Sequence, residues 1–455
     1  MTAEDADFVV VGAGYAGLNA ARVLKGAGRT VTVLEARDRV GGRVWTIEHD
    51  DGTPLDVGGQ WIGPTQERII ALTRALDVET FPTYSDGKNV LRLRDRNRRY
   101  KGTIPNVGPF SLLNIGWAMW RLSAMAKEVP LEAPWAAPRA REWDEQTLAS
   151  WMKRNIHFKT ARDLLTVGLE TVYSASSADL SLLHALFFIH SAGKLDHLLD
   201  VRGGAQQDRF VTGAQTVANK MAEALGGAVR LSSPVTRIVN DTDAVTVHAG
   251  EVAVRARRVI VAVPPALAGR LDYSPSLPGY RDQLTQRMPM GSVIKCMAIY
   301  DRAFWRDEGL SGQAVSDAGP VSVTFDNSPP SGKPGVLMGF VEADAARKLG
   351  RLREADRREA VLACFSRYFG DRAKVPLAYV DKSWADEPWS RGCYVAFMPT
   401  GVWTSYGPAL REPVGRIHWA GTETATVWNG YIDGALESGE RAAREVLRAE
   451  GLKVE

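Results

Sequence analysis

The chain opens with an apolar run that is typical of a buried strand in a parallel sheet. Residues 8–11 are continuously apolar and lead directly into the glycine-rich segment GAGYAG at 12–17. Strands covered by helices on both faces of a sheet have this composition. A helical pattern follows, and a second apolar run at 30–34 ends at Glu35. The pattern therefore predicts one strand–helix–strand unit at the start of the chain.

Farther along the chain, helical and strand-like patterns replace one another several times. Helical periodicity, with frequent tryptophan and proline, dominates from about residue 86 to 209. Strand patterns return at 228–263 and include a predicted hairpin with its turn at 240–243. Mixed strands and a helix at 354–369 come next, and the chain closes with an amphipathic helix at 433–449.

This alternation predicts two interleaved domains, because 455 residues exceed what one hydrophobic core usually supports. The predicted fold class is α/β, with a discontinuous Rossmann-like dinucleotide-binding domain and an inserted α+β substrate domain. Residues 1–85, 210–285 and 385–455 are assigned to the first domain. Residues 86–209 and 286–384 are assigned to the second.

Two apolar stretches, at 110–120 and 182–190, are the longest candidates for membrane segments. Both are shorter than the roughly 20 residues that a membrane-spanning helix needs. We predict that both form buried helices of a globular domain. The N-terminus is acidic and lacks the basic and apolar regions of a secretory signal.

Composition narrows the classes of function. The 56 basic and 53 acidic residues nearly balance, which gives no indication of a nucleic-acid or membrane-surface partner. The seven histidines show no metal-ligand spacing, so no metal site is predicted. The three cysteines, Cys296, Cys364 and Cys393, are too few for a disulfide framework and indicate a reducing cytoplasm.

The glycine motif has the context of a dinucleotide site. It follows a strand, opens a helix, and Glu35 comes 18 residues after Gly17. The glycines let the backbone approach a pyrophosphate closely, while the helix N-terminus offers unpaired N–H groups to the anion. Glu35 can accept hydrogen bonds from ribose hydroxyls, which favours FAD or NAD over NADP.

A second glycine pair, Gly41 and Gly42, follows the acidic residue and is flanked by Arg37 and Arg43. A ligand larger than NAD that extends across the domain needs the backbone to approach it at two places. The arginine side chains can pair with phosphate oxygens in fork geometry. The segment therefore favours FAD over NAD.

Separated segments of the chain resemble those of flavin-dependent monoamine oxidases, and they occur in the same order. They are ARDRVGGR at 36–43 with VGGQWIGPTQ at 57–66, MPMGSVIKC at 288–296, SRGCY at 390–394, and WAGTETATVWNGYIDGALESGERAAREVL at 419–447. The resemblance extends from about residue 8 to 449 and implies the flavin amine oxidase fold, with FAD bound in the discontinuous domain.

The resemblance implies oxidative deamination, in which an amine and O2 give an aldehyde, ammonia and hydrogen peroxide. The implied catalytic residues are Lys295, Tyr394 and Tyr431. The two tyrosines would form an aromatic cage in front of the flavin, where their ring faces attract an amine. Lys295 would hold a water beside the flavin. No side chain is expected to act as an obligatory general base.

The resemblance also implies which residues contact FAD. They come from the two glycine segments, the VGGQW run, the central strands and the C-terminal motifs. The implied set is Gly12, Gly14, Ala16, Gly17, Glu35, Arg37, Gly42, Arg43, Gly59, Gln60, Trp61, Val235, Trp384, Cys393, Gly421, Thr422, Glu423 and Ile432.

The substrate pocket implied by the resemblance is mostly apolar. It comprises Thr171, Val172, Phe188, Leu198, Leu199, Gln206, Val323 and Phe340, beside Trp61. A diamine would need a carboxylate for its distal ammonium, and an amino acid would need an arginine for its carboxylate. None of these positions supplies either group, so apolar arylalkyl or alkyl primary monoamines are the expected substrates. The alternative is a polyamine, diamine or amino-acid oxidase on the same scaffold.

The resemblance implies that Cys393 is a covalent attachment site for FAD. The corresponding cysteine of monoamine oxidases is bonded through sulfur to the 8α-methyl group of FAD, which implies an 8α-S-cysteinyl link here. Arg391 replaces a glycine of the family motif. The apolar C-terminal helix of membrane-bound members is lacking, so no membrane anchor is expected. Dimers are common in the family, so the resemblance makes a homodimer the expected assembly.

Overall fold

A computed structural model describes residues 4–453 of the chain. Its first strand, Glu4–Val11, is parallel to Val31–Leu34 on one side and to Val252–Val261 on the other. The four apolar residues at 8–11 are buried. Phe8 and Val10 pack against helices on one face, and Val9 and Val11 pack mainly among strand residues on the other. The predicted strand–helix–strand unit is present, with the helix Tyr15–Gly26 between its two strands.

The largest sheet has eight strands and mixed direction. The predicted hairpin lies in it, with Arg237–Asn240 antiparallel to Val245–Ala249. Its strands are Glu4–Val11, Val31–Leu34, Val229–Arg230, Arg237–Asn240, Val245–Ala249, Val252–Val261, Asp272–Ser274 and Ile417–Trp419.

A second sheet has seven strands and carries most of the remaining strand residues. Its strands are Lys88–Leu93, Arg96–Tyr100, Val293–Tyr300, Leu310–Ser316, Val323–Asp326, Gly335–Glu342 and Ala378–Ser383. Two small sheets complete the strand structure. They consist of Thr46–Glu48 with Pro54–Asp56, and of Trp61–Ile62 and Thr80–Pro82 with Asp208–Phe210.

The helices cover the sheets and form a helical layer over residues 109–199. They are Tyr15–Gly26, Glu67–Ala75, Pro109–Ala126, Ala140–Asp144, Leu148–Asn155, Lys159–Tyr173, Leu182–Ser191, Leu195–Leu199, Gln215–Leu225, Pro265–Ala268, Gly279–Gln286, Ala343–Leu349, Glu354–Phe369, Val402–Tyr406 and Ile432–Ala449. The first and last of them pack closely, and the Asn19 side chain donates a hydrogen bond to the Leu436 carbonyl at 2.7 Å.

The origin of the strands supports the two-domain division. All strands of the eight-stranded sheet come from 1–85, 210–285 and 385–455, and all strands of the seven-stranded sheet come from 86–209 and 286–384. We propose on this basis that these segments form the two domains.

The apolar stretch at 110–120 is buried on one side only, whereas the sequence predicted a buried helix. Within the helix Pro109–Ala126, the side chains of Phe110, Leu113 and Trp120 are 68%, 71% and 63% exposed. The other stretch does form a buried helix, Leu182–Ser191. Within residues 4–453, no helix is both long and apolar enough to cross a membrane.

Candidate functional site

One cavity of about 1020 Å³ runs through the protein between the two large sheets, and we call it the central cavity. Proteins usually hold small ligands and cofactors in clefts of this kind. Most of the predicted site residues line it. From the predicted FAD set these are Gly12, Gly14, Ala16, Glu35, Arg37, Gly42, Arg43, Gly59, Gln60, Trp61, Val235, Trp384, Cys393, Gly421, Thr422 and Ile432.

Gly17 and Glu423 do not line the central cavity. A Cβ atom on Gly17 would lie 1.9 Å from the Gly12 carbonyl oxygen, so this glycine allows the helix to pack on the preceding loop. Glu423 is buried and turns its carboxylate to Arg43. Both residues support the wall of the cavity, and their contact with a cofactor stays a prediction.

The two glycine segments meet backbone to backbone at one end of the cavity. A Cβ atom on Gly42 would lie 3.2 Å from the Gly14 Cα atom, and Gly42 has a φ of +62°. The isolated bridge between Gly14 and Gly41 joins the two segments in parallel orientation. This is an open backbone surface of the kind that a pyrophosphate-containing cofactor requires.

Glu35 lies at the end of the second strand with its carboxylate fixed by backbone donors. It accepts hydrogen bonds from the Ala13 N–H at 2.7 Å and from the Arg37 N–H at 3.0 Å. A carboxylate has about four acceptor positions, so capacity remains for ribose hydroxyls on the cavity side.

Arg37 and Arg43 line the cavity, and their guanidinium groups are paired with protein groups in this structure, so their contact with a phosphate stays a prediction. Arg43 binds Glu423 through both terminal nitrogens, at 2.6 and 3.0 Å, and also donates to the Tyr394 carbonyl at 2.8 Å. Arg37 donates to Glu387 at 3.2 Å and to Ser390 at 2.8 Å. Both arginines therefore fix the loop at 387–394 against the second glycine segment at 37–43.

Tyr394 and Tyr431 both line the cavity, and other rings support each of them. Tyr431 contacts Trp428 edge to face at a centroid distance of 4.9 Å, and Tyr394 contacts Phe340 at 5.8 Å. Burial raises the pKa of both phenols above the ordinary value. Both hydroxyls therefore stay neutral, and their ring faces are available to a cation.

Lys295 is a buried cation on the strand Val293–Tyr300, which is second from one edge of the seven-stranded sheet. Its Nζ atom donates to the Gly58 carbonyl at 2.9 Å and to the side-chain oxygen of Gln60. Burial lowers its pKa to about 7, while the nearby Asp56 carboxylate acts in the opposite direction. The ammonium group therefore titrates close to neutral pH, inside the cavity wall.

Cys393 is buried and lines the cavity, immediately before Tyr394. The peptide bond between these two residues is cis. Burial raises the pKa of the thiol to about 12, although the Arg43 charge acts in the opposite direction. Arg391, which replaces the expected glycine, has a φ of +58° and so keeps the left-handed backbone that glycine favours.

All the predicted substrate residues line the same cavity: Thr171, Val172, Phe188, Leu198, Leu199, Gln206, Val323 and Phe340. Three polar atoms among the lining side chains have no hydrogen-bond partner within residues 4–453. They are Trp61 Nε1, Thr171 Oγ1 and Gln206 Oε1. The Thr171 hydroxyl lies near the Glu342 carboxylate without hydrogen-bond geometry to it. Buried polar atoms are nearly always paired, so Trp61 Nε1 and Gln206 Oε1 are available to a bound ligand or water.

Three carboxylates near this site were missed by the sequence analysis. Asp86 and Asp200 line the cavity, the former exposed and the latter half-buried. Glu342 lies outside the lining but accepts a hydrogen bond from the Tyr394 hydroxyl at 2.9 Å. The only sequence signal for Glu342 is an acidic residue at the end of the apolar run GVLMGFV.

Known proteins share both the sequence and the fold. Residues 15–447 match the family described as flavin containing amine oxidoreductase. The Mycobacterium tuberculosis protein AofH, named as a flavin-containing monoamine oxidase, is 46% identical over 440 residues, 97% of this chain and 96% of that protein. A solved putrescine oxidase bound to putrescine has a TM-score of 0.95 at 34% identity, covering 98% of this chain and 100% of that one.

A cyclohexylamine oxidase from Brevibacterium oxydans has a TM-score of 0.92 at 32% identity, again covering 98% of this chain and 100% of that one. Two solved structures thus share the fold of this chain over almost its whole length. This confirms the predicted fold class, an α/β flavin amine oxidase fold.

Proposed function

The chain belongs to the family of flavin containing amine oxidoreductases, and we propose that it oxidises apolar primary monoamines. The enzyme acts on an amine with O2 and uses FAD as its cofactor. When bound, FAD accepts the equivalent of a hydride from the α-carbon of the amine. The proposed products are an aldehyde, ammonia and hydrogen peroxide.

The apolar cavity wall beside the two tyrosines is the observation that carries this choice of substrate. Val172, Phe188, Leu199, Val323 and Phe340 supply aliphatic or aromatic surface there. Such a wall gains free energy by burying an aryl or alkyl group, at about 25 cal/mol per Å² of apolar surface. A second charge on the substrate would lose its hydration without a partner at this wall.

The proposed cofactor contacts are the cavity-lining residues of the first domain. The helix that begins at Tyr15 would receive the pyrophosphate, and Glu35 would receive the ribose hydroxyls. Gly12, Gly14, Gly41 and Gly42 line the cavity at this end, so backbone without side chains faces such a ligand. A cavity of about 1020 Å³ is at the upper limit for a small-molecule site, and this volume suits a cofactor and an amine together.

The chain's own residues would bind the amine and set its protonation state. Tyr394 and Tyr431 would hold the amine nitrogen between their ring faces, where negative quadrupoles attract it. Because burial raises the pKa of both phenols, neither accepts a proton from the substrate near neutral pH. Lys295 would hold a water or a developing negative charge beside the flavin.

We expect benzylamine to bleach the flavin under anaerobic conditions with a second-order rate constant at least about tenfold above that of putrescine. The reason is the cost of desolvating the distal ammonium of putrescine, since each 1.4 kcal/mol corresponds to a factor of ten. Stopped-flow absorbance with benzylamine, phenylethylamine, an alkylamine and putrescine measures this ratio. Faster bleaching by putrescine than by every monoamine would contradict the proposed substrate class.

A diamine oxidase is the second candidate, and Asp86 and Asp200 are the observation that favours it. Either carboxylate could receive a distal ammonium on the solvent side of the cavity. If this alternative holds, Asp200→Asn raises KM for putrescine while leaving KM for benzylamine unchanged. Asp208→Asn, at a half-buried aspartate outside the cavity lining, is the matched control.

We also propose a thioether between Cys393 and the 8α-methyl group of FAD. The position of the thiol in the cavity wall and the left-handed backbone of Arg391 support it. After acid precipitation, we expect the flavin colour to stay with the protein, and the intact mass to include one FAD. Cys393→Ala is expected to release its flavin completely. Complete release from the wild type would contradict the link.

The proposed setting is the cytoplasm, with the enzyme as a homodimer. The three cysteines are free and buried, as expected for a reducing compartment. The exposed side chains of Phe110, Leu113 and Trp120 form an apolar surface that a second copy could bury.

A further inference from the structure

Glu342 is a buried carboxylate directly behind one wall of the proposed aromatic cage. It ends the strand Gly335–Glu342 and is 5% exposed. The Tyr394 hydroxyl donates to its Oε1 atom at 2.9 Å, and the Ser322 hydroxyl donates to its Oε2 atom at 3.2 Å. The carboxylate is therefore connected to the cavity through the phenol of Tyr394, which lines it.

The surroundings of Glu342 contain no close cation. Within residues 4–453, no Lys, Arg or His nitrogen lies within 4.0 Å of its carboxylate. The helix Lys159–Tyr173 contributes the Thr171 hydroxyl and the Glu170 carboxylate, and Asp344 follows close by in sequence. Burial raises the pKa of Glu342 to about 7, Glu170 acts in the same direction, and the hydroxyl groups oppose the shift.

A buried carboxylate without a cation is costly unless a ligand supplies the missing charge. The nearest place for such a ligand is the cavity face of Tyr394. We propose that Glu342 is a positioning residue that provides the counter-charge for an ammonium group held between Tyr394 and Tyr431. This inference rests on the proposed function, because it assumes that the cage receives an amine.

Two effects connect the carboxylate to the cage. The Tyr394 hydroxyl donates to Glu342, and a phenol that donates to an anion becomes more electron-rich, which strengthens the attraction of its ring face for a cation. The negative charge also acts directly on the ammonium group across the ring. Protonation of Glu342 removes both effects.

The expected pH dependence follows from this arrangement. A cation in the cage stabilises ionised Glu342 and lowers its pKa, so affinity for a permanent cation rises as pH increases through about 7. Lys295 also titrates at about 7 and loses its positive charge over the same range. Both groups therefore change cation affinity in the same direction, and variants are needed to separate them.

Benzamidine and benzamide form a matched pair of probes for the FAD-containing protein. The two have nearly the same shape, benzamidine stays cationic over the range used, and neither has an α-hydrogen to lose. Isothermal titration calorimetry between about pH 5.5 and about pH 8.5 measures their affinities without turnover. For the wild type, we expect benzamidine to bind about tenfold more tightly at the upper end, while benzamide binding stays constant.

The Glu342→Gln variant keeps an acceptor for the Tyr394 hydroxyl and removes the charge. It is expected to retain only the part of the benzamidine pH dependence that is due to Lys295, while benzamide affinity remains unchanged. The Lys295→Met variant is expected to retain the part due to Glu342. Ser322→Ala removes a hydrogen bond to the ionised form, so it should move the benzamidine profile to higher pH.

An unchanged pH profile for benzamidine in Glu342→Gln overturns the assignment. An equal weakening of benzamidine and benzamide also overturns it, because a purely structural role affects both probes alike. Should Glu342→Gln not fold, an unshifted profile in Ser322→Ala overturns it instead. The proposed function fails separately, if the wild-type flavin is not bleached by any amine of the substrate panel.

Discussion

Replacing Gly17 by alanine is expected to destabilise the protein by at least about 3 kcal/mol and to lower its FAD content. A Cβ atom at this position would lie 1.9 Å from the Gly12 carbonyl oxygen and 3.1 Å from a Val10 methyl group. Overpacking a core usually costs about 1–3 kcal/mol, and here the obstacle is backbone that cannot rotate away. Urea unfolding and the flavin absorbance per protein measure the two effects.

Gly26→Ala is the matched control, because Gly26 ends the same helix. A Cβ atom there would meet no heavy atom within 4 Å. Alanine is the better helix former by up to about 1 kcal/mol, so this variant should be at least as stable as the wild type. Equal stability and equal FAD content in both variants would show that the helix need not pack on the loop at 12–14.

Many helices and strands could be predicted from the sequence because the spacing of apolar residues within each segment indicates them. The helix predicted at 354–369 occupies Glu354–Phe369, and the helix predicted at 433–449 begins one residue earlier. The first strand was predicted to begin at residue 8 but begins at Glu4. The polar residues 4–6 belong to the strand because they pair with residues 254–256. Pairing between residues so far apart in the chain cannot be predicted from the local pattern.

The exposure of the helix Pro109–Ala126 could not be predicted, because apolar residues occur around most of its circumference. Ile115 and Leu122 face the core, while Phe110 and Leu113 face solvent. Because every face of such a helix carries apolar residues, its sequence pattern does not indicate which face is buried. Only the packing of its neighbours decides which residues are buried.

The site was predicted well where its residues belong to short motifs and poorly where it depends on contacts between motifs. The glycine segments, Lys295 and the two tyrosines reach one cavity from distant parts of the chain. The ion pair between Arg43 and Glu423 joins residues 380 positions apart. Spacing along the chain cannot reveal such a pair, so the partner of Arg43 could not be predicted from the sequence.

Glu423→Gln is expected to destabilise the protein by about 3–5 kcal/mol, which is the usual cost of removing one partner from a buried ion pair. The Arg43 and Glu423 side chains are 18% and 1% exposed. Burial alone would lower the pKa of Arg43, but the Glu423 carboxylate outweighs it and raises the pKa of the guanidinium above its ordinary value. The neutral amide would leave that charge without compensation. Urea unfolding of the FAD-bound protein measures the loss.

Glu440→Gln provides the control, since Glu440 pairs with Arg68 at 3.2 Å and with Arg444 at 2.9 Å near the surface, where the Glu440 side chain is 26% exposed. Exposed pairs contribute at most about 1 kcal/mol, so this variant should be nearly as stable as the wild type. If Glu423→Gln lowered the free energy of unfolding no more than Glu440→Gln does, the Arg43–Glu423 pair would not be a stabilising buried ion pair.

The Arg43–Glu423 pair has a functional consequence that separates it from an ordinary structural contact. Arg43 also holds the Tyr394 carbonyl at 2.8 Å, and Glu423 accepts the Ala396 N–H at 3.2 Å. Both contacts fix the segment that carries Tyr394, so loosening them should misplace one face of the cage. Glu423→Gln is therefore expected to raise KM for benzylamine under conditions where the variant remains folded, whereas Glu440→Gln leaves KM unchanged.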